Sequence, residues 1–330
     1  MRKLSILIVV IFLSVTFSGC SNYKTAISFK EEKVENSYNN YLAGGNLAYC
    51  DNALYYFNNA FDRALRTKAY KFTDKGRTNM LGDKKIPALY FKGFYELDNK
   101  IYSFLEDDTF LSVYDSGNRK FVKSDFDIKT KYDYYLSEKL IISYKNSKTL
   151  KVYYKEKTYA VILESGIDRF YPVDEIIYLQ NNNGALYSYN LKTPDKAPEF
   201  IDELADGGSY KVFSVCGGYV YYDYDKEDGD ITNGLYRFSL KDESHKLVTD
   251  KEVSCVNSLN GKFYFVADGN LYLDNPQRES DRITDLKTKN IYIFDNKWIY
   301  LDDNNDNVFR VNTQSGVIER IDVLTMGQLK

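Results

Sequence analysis

From about residue 46 onward, apolar and polar positions alternate in short runs rather than recurring at helical spacing, a period-two pattern that predicts β-strands. The clearest stretch reads Gly217-Gly218-Tyr219-Val220-Tyr221-Tyr222, an acidic segment from Asp223 to Asn233, Gly234-Leu235-Tyr236-Arg237-Phe238-Ser239-Leu240, and His245-Lys246-Leu247-Val248-Thr249-Asp250. A second copy follows: Asn260-Gly261-Lys262-Phe263-Tyr264-Phe265, Gly269-Asn270-Leu271-Tyr272-Leu273 and Arg282-Ile283-Thr284-Asp285. The runs are rich in Tyr, Val, Ile and Phe, which suit a pleated, half-buried surface. Asp98-Asn99, Asn146-Ser147, Asn182-Asn183-Gly184, Asn260-Gly261 and Asp303-Asn304 tolerate left-handed backbone and so predict hairpin turns. Between Gly44 and Asp322 no long run has the helical period.

The unit repeats. Taking the first large apolar residue of each Tyr-rich strand gives Leu54, Ile101, Leu140, Ile176, Val220, Phe263 and Trp298, spaced by 47, 39, 36, 44, 43 and 35 residues. Spacing near 40 with several short strands per unit is what propeller blades require, because each blade buries its faces only against its neighbours. The expectation is therefore an all-β chain forming a single β-propeller of four-stranded antiparallel blades. The count is seven, with six and eight as alternatives. A two-domain split is the rival, and no linker rich in Pro, Gly or Ser interrupts the units to favour it.

The N-terminus has a different character. Arg2 and Lys3 precede a charge-free apolar run from Leu4 to Phe17, followed by Ser18-Gly19-Cys20. About 14 residues fall short of the roughly 20 a membrane-spanning helix needs, which favours an export signal. Phe17-Ser18-Gly19-Cys20 resembles the lipobox of bacterial lipoproteins, with Phe17 where Leu is usual. That resemblance implies cleavage before Cys20, diacylglycerol on its thiol, and a protein held at the outer face of the cell membrane. The expected division is a signal peptide over 1–19, a lipid-anchored polar tether over 20–45 and a propeller over 46–330. A short apolar stretch, Ala26-Ile27-Ser28-Phe29, offers an alternative to a free tether by pairing with the last blade.

Composition narrows the chemistry. A net charge of -3 carries no basic excess, which excludes nucleic acid as a partner. Beyond Cys20 only Cys50, Cys216 and Cys255 remain, each among apolar or small residues, so they read as buried hydrophobes rather than a disulfide framework. The single histidine, His245, lies in a polar stretch read as a surface turn, which leaves no histidine triad or multi-histidine metal site. Two loops are acidic: Asp223, Asp225, Glu227, Asp228 and Asp230, and Asp302, Asp303, Asn304 and Asp306. Neither fits the helix-loop-helix calcium pattern. They read as solvated hairpin loops, with a noncanonical cation site at Asp223, Asp225 and Asp228 as the lesser alternative. No cofactor is expected. The 32 Tyr and 20 Phe are assigned mainly to packing between blades. The two longest loops linking equivalent strands, 57–68 and 223–233, supply the candidate ligand-facing set of Phe57, Phe61, Tyr224 and Asp225.

Leu54-Tyr55-Tyr56, Val220-Tyr221-Tyr222-Asp223, Lys297-Trp298-Ile299-Tyr300, Leu235-Tyr236-Arg237 and Val308-Phe309-Arg310 together resemble a family of bacterial extracytoplasmic lipoproteins. Their domain of unknown function is similar to the propeller of low-density-lipoprotein receptor-related proteins. The receptor motif Tyr-Trp-Thr-Asp is not intact here, and that propeller has six blades. The resemblance implies fold, location and a binding role, and transfers no active site. Two functions follow as expectations. The first is a non-catalytic binding or scaffold propeller for a protein or cell-surface glycan partner. The alternative is a carbohydrate-active enzyme using paired carboxylates in the channel.

Overall fold

The computed structural model describes residues from Asn36 to Ile321, with breaks at 51–52, 59–65, 74–75, 80–85, 88–92, 105–109, 116, 119, 130–132, 205–211, 225–231, 277–279 and 304–306. Cys20, Phe61, Asp225, Asp228, Asn304, Asp306 and the 26–29 stretch lie outside the described residues. Among the described residues, six four-stranded antiparallel sheets, each a simple meander, follow one another from Tyr95 to Arg320. An N-terminal sheet precedes them. It has five strands, because its third strand, Arg66–Thr73, is long enough to pair with Gly76–Asn79 along one part and with Ile86–Pro87 along another. Every anchor from Leu54 to Trp298 falls in the second strand of its sheet.

Burial falls off radially, as expected of sheets whose faces are covered only by neighbouring sheets. Second and third strands carry side chains with no exposure at all, among them Ile142, Leu150, Val152, Ile177 and Val220. Fourth strands are the exposed rim, with Phe200 in Glu199–Glu203 57% accessible. Ring stacking joins sheets directly, as where Tyr221 lies on Phe263 with centroids 3.6 Å apart. The N-terminal sheet shows the rule at its clearest. Period-two alternation sends Leu47, Tyr49, Leu54 and Tyr56 to one face, where they pack with Tyr292, Phe294, Trp298 and Tyr300 of the last sheet. Ala48, Cys50, Ala53 and Tyr55 go to the other, against Phe94 and Ile101 of the next sheet. The result is a β-propeller whose first and last sheets touch.

The first strand of each sheet lines the axis, and this creates a problem that the sequence solves locally. An inner strand is a sheet edge, so its unpaired N–H and C=O groups face the channel and need partners. The partners come from the N-terminal segment, where Ser37–Leu42 forms one short helix, α1, buried against the inner strands. Six residues are too few to be helical alone in water, so tertiary contact holds it. Asn40 donates from Nδ2 to the Ile293 carbonyl at 2.9 Å and accepts the Ile293 N–H at 2.8 Å. Asn36 donates to Asn257 Oδ1 at 2.9 Å, and Asn257 donates to Asn40 Oδ1 at 2.9 Å. Tyr38 donates its hydroxyl to the Phe170 carbonyl at 3.0 Å, while its ring meets Tyr135, Phe170 and Tyr171. Tyr41 packs on Tyr95 and Tyr134.

Residues 36–45 were expected to belong to a polar tether, and here the structure differs. Asparagines that look solvated by composition carry both a donor and an acceptor, which matches the paired needs of a strand edge. The segment leaves the channel through Gly44 and Gly45, both at positive φ. A Cβ on Gly45 would lie 2.8 Å from the Gly93 Cα, so only glycine permits this close passage.

Candidate binding groove

A concavity of about 910 Å³ opens at one end of the propeller between the sheets spanning Tyr134–Ile162 and Arg169–Glu203. Three hairpin turns build it: 137–139, 155–156 and 174–175. Tyr135, Tyr153, Tyr154 and Pro172 give it aromatic and apolar wall, and Glu138, Lys139, Glu156 and Asp174 add charge. Tyr153 is 39% accessible.

The turn at Lys155-Glu156 is unusual. It is a two-residue hairpin loop closed by the Tyr154 and Lys157 pair, with φ of 48° and 62° at its two positions. Two consecutive positive φ values define the type I′ turn, which Asn-Gly suits and side chains such as these resist by about 1–2 kcal/mol each. A network beside the turn holds it. Tyr154 donates its hydroxyl to Glu175 Oε1 at 2.5 Å, Lys192 Nζ lies 2.7 Å from Glu175 Oε2, and Lys155 Nζ lies 3.5 Å from Oε1 and 4.7 Å from the Tyr154 ring centre. The Lys192 and Tyr154 hydrogen bonds pull the Glu175 carboxyl down to about 2, from an ordinary value of 4.5. Backbone strain kept in place by surrounding contacts is a recurrent property of recognition sites.

The residues singled out from sequence are placed elsewhere. Phe57 lies within the strand Ala53–Asn58, paired with Ala69, rather than in a loop, because the backbone ladder with Arg66–Thr73 continues through Asn58. Tyr224 lines a smaller depression of about 360 Å³ at the opposite end, with Asn233, Gly234, Asp250 and Lys251. Its ring is 4% accessible and meets Tyr236 edge-on, which makes it a packing residue more than a platform. Asp223 Oδ1 accepts the Val212 N–H at 2.7 Å, tying the second strand of its sheet to the start of the first. Asp302 Oδ1 does the same for Asn290 N–H at 2.9 Å, and burial pushes its carboxyl above the ordinary range. Asp303 closes its own hairpin by accepting from the Asn307 N–H and side-chain amide. These acids are strand and hairpin fasteners, and among the described residues no group of three His, Cys, Asp or Glu is arranged to hold a metal ion.

His245 also departs from expectation. It opens the strand His245–Thr249 instead of sitting in a turn, with Nδ1 2.8 Å from the Tyr222 hydroxyl and Nε2 3.4 Å from Asp202. Cys50, Cys216 and Cys255 are buried, and the Cys50 thiol donates to the Asn99 carbonyl at 2.6 Å. Burial raises the Cys216 thiol to about 11 and the Cys255 thiol to about 12. As for a carboxylate pair on the axis, Glu96 of an inner strand accepts the Tyr49 N–H at 3.1 Å, and Asp133 stands at the channel mouth beside Tyr38 and Arg169.

The groove escaped sequence reading because its turns lack the Asn-Gly signature. The only hint was the alternation on either side of Lys155-Glu156, which marks the hairpin without marking the cleft.

No protein-family model matches the chain, and no curated protein matches its sequence. Solved structures do resemble it. A chain of the mitotic checkpoint complex superposes with a TM-score of 0.55 at 8% identity, covering 90% of this chain and 98% of that one. The computationally designed Ika8 protein gives 0.54 at 11% identity over 88% and 89% of the two chains. A puromycin-hydrolyzing peptidase of Mycobacterium tuberculosis gives 0.54 at 12%, covering 89% of this chain and 56% of that one. At such identities the likeness carries the fold alone, and it agrees with the β-propeller built above.

Proposed function

We propose that this protein is an extracytoplasmic, lipid-anchored binding or scaffold propeller that is not an enzyme, and that the groove at the hairpin end receives its partner. The observation that carries the reading is the 910 Å³ cleft itself, with an accessible Tyr153 and a strained turn fixed beside it. Charged and aromatic side chains on a rigid rim suit recognition of a protein segment or a glycan. On this reading the N-terminal five-stranded sheet is the seventh blade, supported by its packing between the last sheet and the next.

Two experiments test it. Cells fed a radiolabelled fatty acid should label the wild-type chain and not Cys20→Ser, which should appear in the soluble fraction. An unlabelled wild type overturns the anchor. Tyr153→Ala combined with Lys139→Glu should lower partner recovery from the membrane fraction by tenfold or more. Equal recovery, or none from the wild type, counts against the groove.

A further inference from the structure

The path of α1 through the channel carries an inference that rests on the anchor just proposed and adds the direction in which the domain hangs from it. All inner strands run from the end where the chain crosses between sheets toward the end where the first hairpins turn. Residues of α1 can be placed along that direction by their contacts. At the hairpin end, Asn39 donates to the Ser258 carbonyl at 3.0 Å and Asn36 to the Ile293 carbonyl at 3.3 Å, and both partners lie late in their strands Val253–Leu259 and Asn290–Ile293. Further along, Ala43 accepts from Cys255, the third residue of Val253–Leu259, at 3.7 Å. At the crossover end, Gly44 sits beside Asn290, the first residue of its strand, and Gly45 accepts the Phe94 N–H at 2.7 Å just before Tyr95–Leu97 begins. Two independent sheets give the same order, so residues 36–45 run antiparallel to the inner strands, from the hairpin end to the crossover end.

Whatever precedes Asn36 is joined to it at the hairpin end, the end that carries the groove. We infer that a domain attached through its N-terminus turns this end, and the groove between Tyr135, Tyr153 and Glu175, toward the attachment surface. The partner it fits is therefore one fixed at that same surface, the extracytoplasmic segment of a membrane protein. Cys20 and Asn36 are 16 residues apart, a reach of at most about 55 Å when fully extended, so the groove stays close to the membrane. The crossover end, with Asp250 and Lys251, faces away.

The orientation can be tested independently of the lipid anchor. Residues 21–330 carrying an N-terminal decahistidine tag are bound to phosphatidylcholine vesicles containing a nickel-chelating lipid. A fluorophore is placed at Glu138→Cys, on the groove rim, or at Asp250→Cys, at the opposite end. The ends of a five-residue strand lie about 17 Å apart, enough for a contact quencher confined to the lipid headgroups to tell them apart. Quenching several-fold stronger at position 138 than at 250 is expected. Equal quenching, or the reverse, overturns the orientation whether or not Cys20 is acylated. The partner is tested in cells with a photo-crosslinking amino acid in place of Tyr153. An adduct with a protein that has a membrane span is expected, and an adduct only with diffusible proteins, or the same adduct from Asp250, overturns it. Loss of fatty-acid labelling with the vesicle result intact would sink the anchor and leave the threading in place.

Discussion

Replacing Asn40 with Ala tests whether the channel helix is part of the folded core. In the wild type, Asn40 Oδ1 accepts from the Ile293 N–H at 2.8 Å and from the Asn257 amide at 2.9 Å, and its Nδ2 donates to the Ile293 carbonyl at 2.9 Å. Asn40 itself is 4% accessible, so water cannot take over these roles without opening the channel. The substitution leaves two donors without an acceptor. The Ile293 carbonyl keeps a second partner in Asn36. At about 1–3 kcal/mol for each buried group left unsatisfied, the loss is about 2–6 kcal/mol. With a urea m-value of about 3 kcal/mol/M, that moves the unfolding midpoint down by about 0.7–2 M. The assay is equilibrium urea unfolding followed by tyrosine fluorescence and by far-ultraviolet circular dichroism, whose coincidence checks that one transition is being read. Lys241→Ala, in an exposed turn, serves as the control, with a shift under about 0.5 kcal/mol expected. An Asn40→Ala midpoint indistinguishable from that control, at unchanged m, would refute the buried network and with it the docking of α1.

Three further outcomes follow. Arg237, with Nη1 2.7 Å and 2.6 Å from the two Asp274 oxygens and Nη2 2.8 Å from the Pro276 carbonyl, ties two sheets together in full burial. Arg237→Met should cost about 3–5 kcal/mol in thermal or urea unfolding, and adding Asp274→Leu should restore most of it; a double variant worse than the single one contradicts an uncompensated buried charge as the cause. The Glu175 network should depend on pH with a definite sign. Because the folded carboxyl titrates near 2 and the ordinary one near 4.5, its contribution is complete above the ordinary value and is lost as pH falls from there toward 2. Nuclear magnetic resonance of Tyr154 should show the contact persisting to about pH 3 and releasing below, and Glu175→Gln should abolish the step; release near pH 4.5 would show that Lys192 and Tyr154 do not hold the carboxylate. Finally, thiols raised to about 11 and about 12 ionise at least about a hundredfold less at pH 8 than an ordinary thiol. Cys216 and Cys255 should resist maleimide in the native chain and react only in denaturant, and mass-detected labelling of either without unfolding would disprove their burial.

Strand identity and the repeat were legible in the chain because they are properties of short range. Alternation decides which side chains of a strand leave on which face, so Leu47 and Tyr49 part from Ala48 and Cys50 whatever lies beyond. The spacing of Leu54 through Trp298 located second strands for the same reason. What lines the axis and what forms the rim was decided by tertiary structure. Asn36, Asn39 and Asn40 have the composition of a solvated tether, and only the inner-strand edges at Ile293 and Ser258 convert them into core. Asp223 and Asp302 resemble cation ligands until the N–H groups of Val212 and Asn290 appear beside them. The groove depends on three turns that come together from two sheets, and on a Lys155-Glu156 turn whose left-handed backbone is imposed by Tyr154, Glu175 and Lys192 rather than by its own residues. Local sequence sets conformational preference over a few residues, whereas a strand edge, a cleft or a carboxylate's partner exists only once distant segments meet.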